Sequence, residues 1–313
     1  MKILELFAGI GGVAEAVRQT PQLGQIGQAV DIDQQCGEVY ALNFGLRPTI
    51  ATIESAASWH SRIDWQTADT WWLSPPCQPY CRRGRQAADD PRRAALLQVM
   101  QVLRTAGTKR PQRIAMENVP EFQASADHQT LCQVLGEQGY RFTEHLLCPT
   151  QWGVPNRRRR YYLTAWQAAL STVAPPPVVP ARTAKRFRLE EILEPDPAEE
   201  CWLAPERVEK YRSALDIVVA EANDADASAC TACFTGGYGK SIKQAGSYLQ
   251  VGPRLRRFTP LEIQRLLGFS AGFQWPPAIP LHRRWKMLGN SLSVPLVGEL
   301  LRSLQIPASQ PKT

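Results

Sequence analysis

No uninterrupted apolar run in this chain approaches the roughly 20 residues that a membrane-spanning helix needs. No basic-then-apolar leader opens it either, so insertion and export are not expected and a cytosolic setting follows. The eight cysteines are therefore expected as reduced thiols. Cys230 and Cys233 form one C-x-x-C, but a second pair and suitably spaced histidines are missing, so no metal site is expected. A P-loop lysine is also absent, which argues against a nucleoside triphosphate. Internal repeats and low-complexity segments are lacking, and repeat architectures drop out with them.

What is present suffices for one full α/β domain and a smaller companion: 313 residues, 44% of them apolar. Residues 1–167 alternate apolar strands with amphipathic helices, the pattern of a doubly wound, Rossmann-like sheet. Covering helices are expected over 33–44 and 91–105. The run Ala174-Pro175-Pro176-Pro177 can continue neither element and reads as a linker into a smaller region, 168–280. Within that region 219–229 is expected as a surface helix or loop. Thr259-Pro260-Leu261-Glu262 forms a capping box with Gly268 as its stop, and the helix between them should bury Ile263, Leu266 and Leu267. A last helix after Pro295, with Leu296, Val297, Leu300, Leu301 and Leu304, should return segment 281–313 to the first domain.

The segment Trp72-Leu73-Ser74-Pro75-Pro76-Cys77-Gln78-Pro79-Tyr80 carries the first chemical signal. It sets a cysteine on a proline-stiffened loop directly after an apolar strand, where α/β enzymes assemble their sites. Alone, Cys77 reads more readily as an inert small core residue. Further on, Arg113-Ile114-Ala115-Met116 is a second buried strand that ends in Glu117-Asn118-Val119-Pro120, so another reactive side chain reaches the same sheet edge. By itself Glu117 would be a solvated loop acid. Strand alternation through Asn156-Arg157-Arg158-Arg159-Arg160 sends Arg158 and Arg160 to one face and Arg157 and Arg159 to the other. One face can enter a site while the other meets solvent or phosphate. Near the front, Ile3-Leu4-Glu5-Leu6-Phe7 runs into Ala8-Gly9-Ile10-Gly11-Gly12, a turn that lets a ligand approach the backbone. Asp31 lies about 20 residues past those glycines, where an acid can bind ribose hydroxyls.

Taken together, Phe7-x-Gly9-x-Gly11-Gly12, Pro75-Pro76-Cys77-Gln78, Glu117-Asn118-Val119, Arg158-x-Arg160 and Leu288-Gly289-Asn290-Ser291 resemble, in order, the motifs of cytosine-5 methyltransferases. The match spans the chain, with a gap near 165–228. Within the family the sequence is most similar to the tRNA-methylating branch. Asn156 stands where most DNA enzymes have glutamine, Gly84-Arg85-Gln86 follows the cysteine loop, and Cys233-Phe234-Thr235-x-Gly237-Tyr238-Gly239 is like that branch's signature. Cys81 departs from the branch's usual hydroxyl residue.

The resemblance implies a methyltransferase sheet that uses S-adenosylmethionine, with a smaller target-recognition domain. It makes Cys77 the nucleophile toward cytosine C6, Glu117 the acid at N3 and Arg160 the stabiliser of charge on O2, with Arg158 supporting it. For the cofactor it implies Asp31 at the ribose, the Gly9, Ile10, Gly11 and Gly12 turn at the methionine part, and Ile53 and Glu54 near the adenine. Phe7, Ser74, Pro76, Asn290 and Ser291 complete that set. The expected substrate is an anticodon-loop cytosine, position 38, in tRNA. Its contacts are assigned to Arg82, Arg83, Arg85, Arg157, Lys240 and Lys243, and to Cys233, Phe234, Thr235 and Tyr238. A net charge of +7 suits such a polyanion without identifying it. DNA is kept as an alternative or weak substrate, with a restriction-modification enzyme as the rival reading. An inactive nucleic-acid-binding relative is the third. A monomer is the expected state.

Overall fold

Short apolar runs set the frame of the fold. The structure, a computed structural model, describes residues 1–81, 90–179, 187–219 and 230–305. Its main sheet is built from β1 (Lys2–Leu6), β2 (Gln25–Asp31), β3 (Thr49–Ile50), β4 (Thr70–Leu73), β5 (Arg113–Asn118), β6 (Tyr140–Leu147) and, after the short β7 (Asn156–Arg157), β8 (Arg160–Gln167). The order across it is β3-β2-β1-β4-β5-β8-β6. β1 pairs in parallel with both β2 and β4, and β4 with β5. The chain thus winds outward from β1 to β3, then resumes at β4 on the other side. That reversal opens a crevice at the carboxyl ends of β1 and β4, the usual place for a ligand in this architecture.

The far edge differs from a uniformly parallel sheet. β8 runs antiparallel to both β5 and β6. Residues 148–159, between β6 and β8, hold a 3₁₀ turn and β7 but no covering helix, so the crossover that parallel pairing requires is missing. Both faces of β4 are buried: Trp71 and Trp72 point to opposite sides of the sheet and both are fully enclosed.

The covering helices are α1 (Gly12–Gln19), α2 (Gln34–Phe44), α3 (Ala56–Ser61), α4 (Ala94–Thr105) and α5 (Ala126–Glu137). Asp33 caps α2, its carboxylate accepting from the N–H groups of Gln35 and Cys36. The stretch expected as a helix over 91–105 begins as a 3₁₀ turn, Pro91–Arg93, before α4 takes over. Beyond β8 come α6 (Pro205–Tyr211), β9 (Asp216–Val219), β10 (Thr231–Ala232), β11 (Ser247–Val251) and β12 (Arg254–Arg257). The last four give a three-stranded sheet of order β12-β11-β9 and a two-stranded ribbon of β10 with β7. The stretch 219–229 lies, apart from Val219, outside the described residues. Residues 174–177 are neither helix nor strand, yet they are docked: Thr143 donates to the Pro175 carbonyl at 2.6 Å and Trp166 to that of Val173 at 2.6 Å.

The capping box closes α7 (Pro260–Leu267) as its residues foretell, with Gly268 at φ 84° ending it. Next are α8 (Leu281–Gly289) and α9 (Val294–Ser303). α9 packs on α1, and Leu296, Val297, Leu300, Leu301 and Leu304 are all buried. Contact with the helices that cover the main sheet begins before residue 281. Ser270 N–H donates to Glu15 at 2.9 Å and Gln274 N–H to Asn43 at 2.7 Å. Among the described residues no helix is long and apolar enough to cross a membrane.

Glu5, in the middle of β1, is buried beneath the glycine turn. Its carboxyl accepts from Tyr40 Oη at 2.7 Å and from Val13 N–H at 3.3 Å. Burial pushes it up to about 8; those hydrogen bonds oppose the rise and the nearby Asp31 adds to it. The folded value lies above the unfolded one, so the contribution of Glu5 to stability is fully present below the ordinary carboxyl range and is lost as pH rises to the folded value. Glu5→Gln, which mimics the protonated form, should flatten the fall in melting temperature between about pH 5 and 8. A slope equal to that of the unaltered protein would show that Glu5 is not held neutral.

Candidate active site

The loops after β1, β2, β4 and β5 leave one sheet edge and meet around a cavity of about 480 Å³. That size falls in the range of small-molecule sites. One wall is the turn after β1, with Phe7, Gly9, Ile10 and Gly12 among its lining. Phe7 adopts φ 61°, a conformation rare for a bulky residue and found mostly where a site imposes it. Gly9, at φ 54°, has open space where a Cβ would stand, so its conformation rather than crowding requires glycine.

Gly11 corrects the reading of the whole turn as ligand-facing. It does not line the cavity, and a Cβ there would lie 2.3 Å from the Phe44 ring. Close packing on α2 and a φ of 87° both call for glycine there.

Asp31, at the end of β2, lines the cavity and also ties its wall together. One carboxylate oxygen accepts from Gly9 N–H at 2.7 Å, the other from Asp33 N–H at 2.8 Å. Burial pushes its carboxyl up against the pull of these bonds. Lone pairs remain for ribose hydroxyls. Ile53, Glu54, Ser74, Pro76, Asn290 and Ser291 also line the cavity. Arg283 and Lys286 on α8 line it too, and sequence reasoning missed both. Their three-residue spacing on a helix that leads into Gly289-Asn290-Ser291 was the available signal. Arg283 pairs with Asp33 at 2.8 Å and so joins α8 to the cap of α2.

At the other end of the cavity Cys77, Glu117, Arg158 and Arg160 converge. Arg160 Nε lies 3.2 Å from Glu117 Oε1. Burial pushes the Glu117 carboxyl up while Arg160 and Arg158 pull it down; the net direction is upward. Asn118 joins the two loops, donating to the Pro75 carbonyl at 3.4 Å and accepting from Val119 N–H at 2.8 Å. Tyr80 anchors the cysteine loop from below. Its hydroxyl donates to Asp127 at 2.7 Å, and Arg93 grips the same carboxylate through two bonds of 2.7 and 2.6 Å.

Alternation along 157–160 holds: Arg158 is buried and Arg160 largely so, while Arg157 and Arg159 are exposed. Arg158 donates to the carbonyls of Phe234 at 3.1 Å, of Gly289 at 3.3 Å and of Ser291. Both arginines reach Cys233 Sγ, Arg158 at 3.4 Å and Arg160 at 3.2 Å. Burial alone would push the Cys233 thiol up; the two guanidiniums outweigh it and hold the thiol down. Asn156 is buried and donates to Thr231 at 2.9 Å and the Ala232 carbonyl at 3.0 Å, fastening β7 to β10.

Two expected substrate contacts are corrected. Phe234 and Tyr238 are enclosed in an aromatic cluster with Phe258 and Trp285, where no nucleotide can touch them. A signature motif does not reveal which face its rings present. Thr235, Lys240 and Lys243 are exposed, and Lys243 Nζ stands 5.3 Å over the Tyr211 ring. Arg157 pairs with Asp216 at 3.5 Å. Arg82, Arg83 and Arg85, with Gly84 and Gln86, lie outside the described residues. Away from the cavity the described residues bring His128, Cys132 and Glu144 together. There His128 and Glu144 already bond at 2.5 Å, and burial pushes the Cys132 thiol up to about 11.

Fold and site together are those of a methyltransferase that uses S-adenosylmethionine. Residues 1–305 match the model of C-5 cytosine-specific DNA methylases, and the chain belongs to that family. The Schizosaccharomyces pombe protein named tRNA (cytosine(38)-C(5))-methyltransferase is 30% identical, over 98% of this chain and 97% of its own. A Dictyostelium discoideum protein named DNA (cytosine-5)-methyltransferase is 27% identical, over 98% of this chain and 95% of its own. The crystal structure of S. pombe Dnmt2 methyltransferase is similar at a TM-score of 0.83 and 29% identity, covering 97% of this chain and 98% of that one.

Asp31→Ala should weaken S-adenosylhomocysteine binding on the order of 30-fold or more, since it removes a charged acceptor and frees the Gly9 turn. Calorimetric titration checks this; unaltered affinity would mean that the ribose is held elsewhere.

Proposed function

We propose that this protein methylates C5 of the anticodon-loop cytosine at position 38 in tRNA, through a covalent adduct between Cys77 and C6. The reaction rests above all on the convergence of Cys77, Glu117 and Arg160 at one end of a cavity whose other end suits S-adenosylmethionine. The substrate rests on the S. pombe relative, named as a tRNA enzyme, on Asn156 and on the Cys233-Phe234-Thr235 motif. Residues 1–167 would form the catalytic domain, 168–280 the target-recognition domain and 281–313 the segment that packs back. The cytoplasm is the compartment such a substrate implies.

When bound, S-adenosylmethionine supplies an electrophilic methyl group. The glycine turn and Asp31 would hold it on one side, with Asn290 and Ser291 on the other. Cytosine C5 is a poor nucleophile until the Cys77 thiolate adds to C6, forming a carbon–sulfur bond and moving the ring's electrons toward N3. Glu117, its carboxyl pushed up by burial, would deliver a proton to N3 where that charge develops. The Glu117 charge also holds the Cys77 thiol up, so a protonated Glu117 makes the thiolate easier to form. Arg160 would stabilise charge on O2. After transfer the C5 proton leaves, the carbon–sulfur bond breaks and its electron pair returns to Cys77.

An anticodon loop presents unstacked bases at low cost, whereas a cytosine in a duplex must first be extruded. Exposed Lys240 and Lys243, with arginines near the site, would give salt-sensitive phosphate contacts that carry no sequence information.

Cys77→Ala should abolish methylation and leave S-adenosylhomocysteine affinity within about two-fold, because the thiol is needed for covalent activation and not for holding the cofactor. Turnover near the wild-type rate would remove the covalent step. Glu117→Gln should lower the single-turnover rate by about 100-fold or more with a smaller effect on tRNA affinity, since an amide bonds N3 without delivering a proton. An unchanged rate would leave Glu117 a structural role only. With labelled S-adenosylmethionine, label should enter tRNA and little should enter duplex DNA. Efficient, sequence-specific labelling of duplex DNA with inert tRNA would overturn the substrate and keep the chemistry.

A further inference from the structure

The cysteine loop carries a second thiol. Pro79 and Tyr80 bring the chain round in a single turn, in which the N–H groups of Tyr80 and Cys81 both donate to the Cys77 carbonyl, at 3.0 and 3.1 Å. A turn closed between residues four apart stacks their side chains on one side. It spaces their Cα atoms about 6 Å apart, within the range that a disulfide spans. Both side chains pack on the same apolar cluster beneath the loop, and neither thiol is fully buried. Each thiol lies near enough to shift the ionisation of the other. Four charged groups act on the pair: Arg160 and Arg92 favour a thiolate, while Glu117 opposes it at Cys77 and Glu121 at Cys81.

We propose that Cys77 and Cys81 form a reversible oxidation site, in which a hydroperoxide converts the thiol pair to an intraloop disulfide and a small thiol restores it. The neighbouring Cys77 pulls Cys81 down to about 7, while Cys81 and burial hold Cys77 up, so Cys81 is the partner richer in thiolate and the first to react. Its sulfur attacks the peroxide oxygen, the O–O bond breaks, and a sulfenic acid forms with release of an alcohol, or of water when hydrogen peroxide is the oxidant. The Cys77 thiol then attacks that sulfur; the S–S bond forms as the S–O bond breaks, and the oxygen leaves as water. Two electrons have passed from the two sulfurs to the peroxide. Two equivalents of an external thiol return them by exchange. Oxidation removes the sulfur that the proposed methyl transfer needs, so the effect on activity rests on that reading, whereas disulfide formation does not.

The test treats the full chain with stoichiometric hydrogen peroxide and follows three quantities: intact mass with mapping of the joined peptide, methylation of tRNA, and S-adenosylhomocysteine binding. The pair predicts a loss of about 2 Da mapped to Cys77 and Cys81, with cofactor binding kept. Methylation should fall at least about 10-fold and return with dithiothreitol. Cys81→Ser should methylate normally before treatment, form no disulfide at Cys77, and lose dithiothreitol-reversible inactivation. A disulfide that joins Cys77 to another cysteine, an unchanged thiol count, or equally reversible inactivation in Cys81→Ser would overturn the assignment. Because the mass readout needs no turnover, it decides the pairing even if tRNA is not the substrate.

Discussion

Arg158 carries a full charge into a place almost without water, 4% exposed, and among the described residues no carboxylate pairs with it. An ion so placed costs several kcal/mol unless its hydrogen-bonding capacity is met. Here it is met by backbone carbonyls from two separate segments, Phe234 on one side and Gly289 and Ser291 on the other, and by the Cys233 sulfur. Without it each of those carbonyls would lose a buried donor. The guanidinium therefore joins three stretches that are distant in sequence: the strand end that presents Arg160, the loop of Cys233, and the turn of Asn290 and Ser291 on the cofactor side. Gly289 records how tight the junction is, since a Cβ there would lie 2.2 Å from the Thr235 carbonyl carbon.

From that junction outward, the reactive loops are fixed by buried and half-buried polar links rather than by regular structure. Asn118 ties the Glu117 loop to the proline loop, Asp31 ties β2 to the glycine turn, and Asp127 holds the tail of the cysteine loop between Tyr80 and Arg93. Each link spans elements that leave the same sheet edge, so the winding of the sheet brings the groups near and the links set their angles. Arg160 and Glu117 are the result: a pair at 3.2 Å, facing Cys77, whose mutual attraction competes with burial for the Glu117 proton.

Much of this arrangement can be read in the chain. β1, β4 and β5 declare themselves as apolar runs, and a reactive residue directly after such a run must reach the sheet edge, which locates Cys77 and Glu117. The alternation of Arg157 to Arg160 separates buried from exposed charges because a strand has a period of two. Other features are not local and leave no local mark. β9 pairs with β11 in parallel across a long intervening segment, and nothing within either strand specifies the partner. Phe234 and Tyr238 belong to a motif near the site, but their rings turn inward to Phe258 and Trp285 because large aromatic surface favours enclosure. Gly11 answers to Phe44 on α2, a contact that only the packed fold creates.

The role of Arg158 as the strut between the cofactor side and the reactive side is tested most directly by Arg158→Lys, which keeps the charge and loses the planar fork. Calorimetric affinity for S-adenosylhomocysteine and the single-turnover methylation rate would be measured on the folded fraction, defined by a cooperative melt. Both should fall together, each on the order of 10-fold or more, because one side chain holds both sides. Wild-type affinity and rate in a stably folded Arg158→Lys protein would contradict this account.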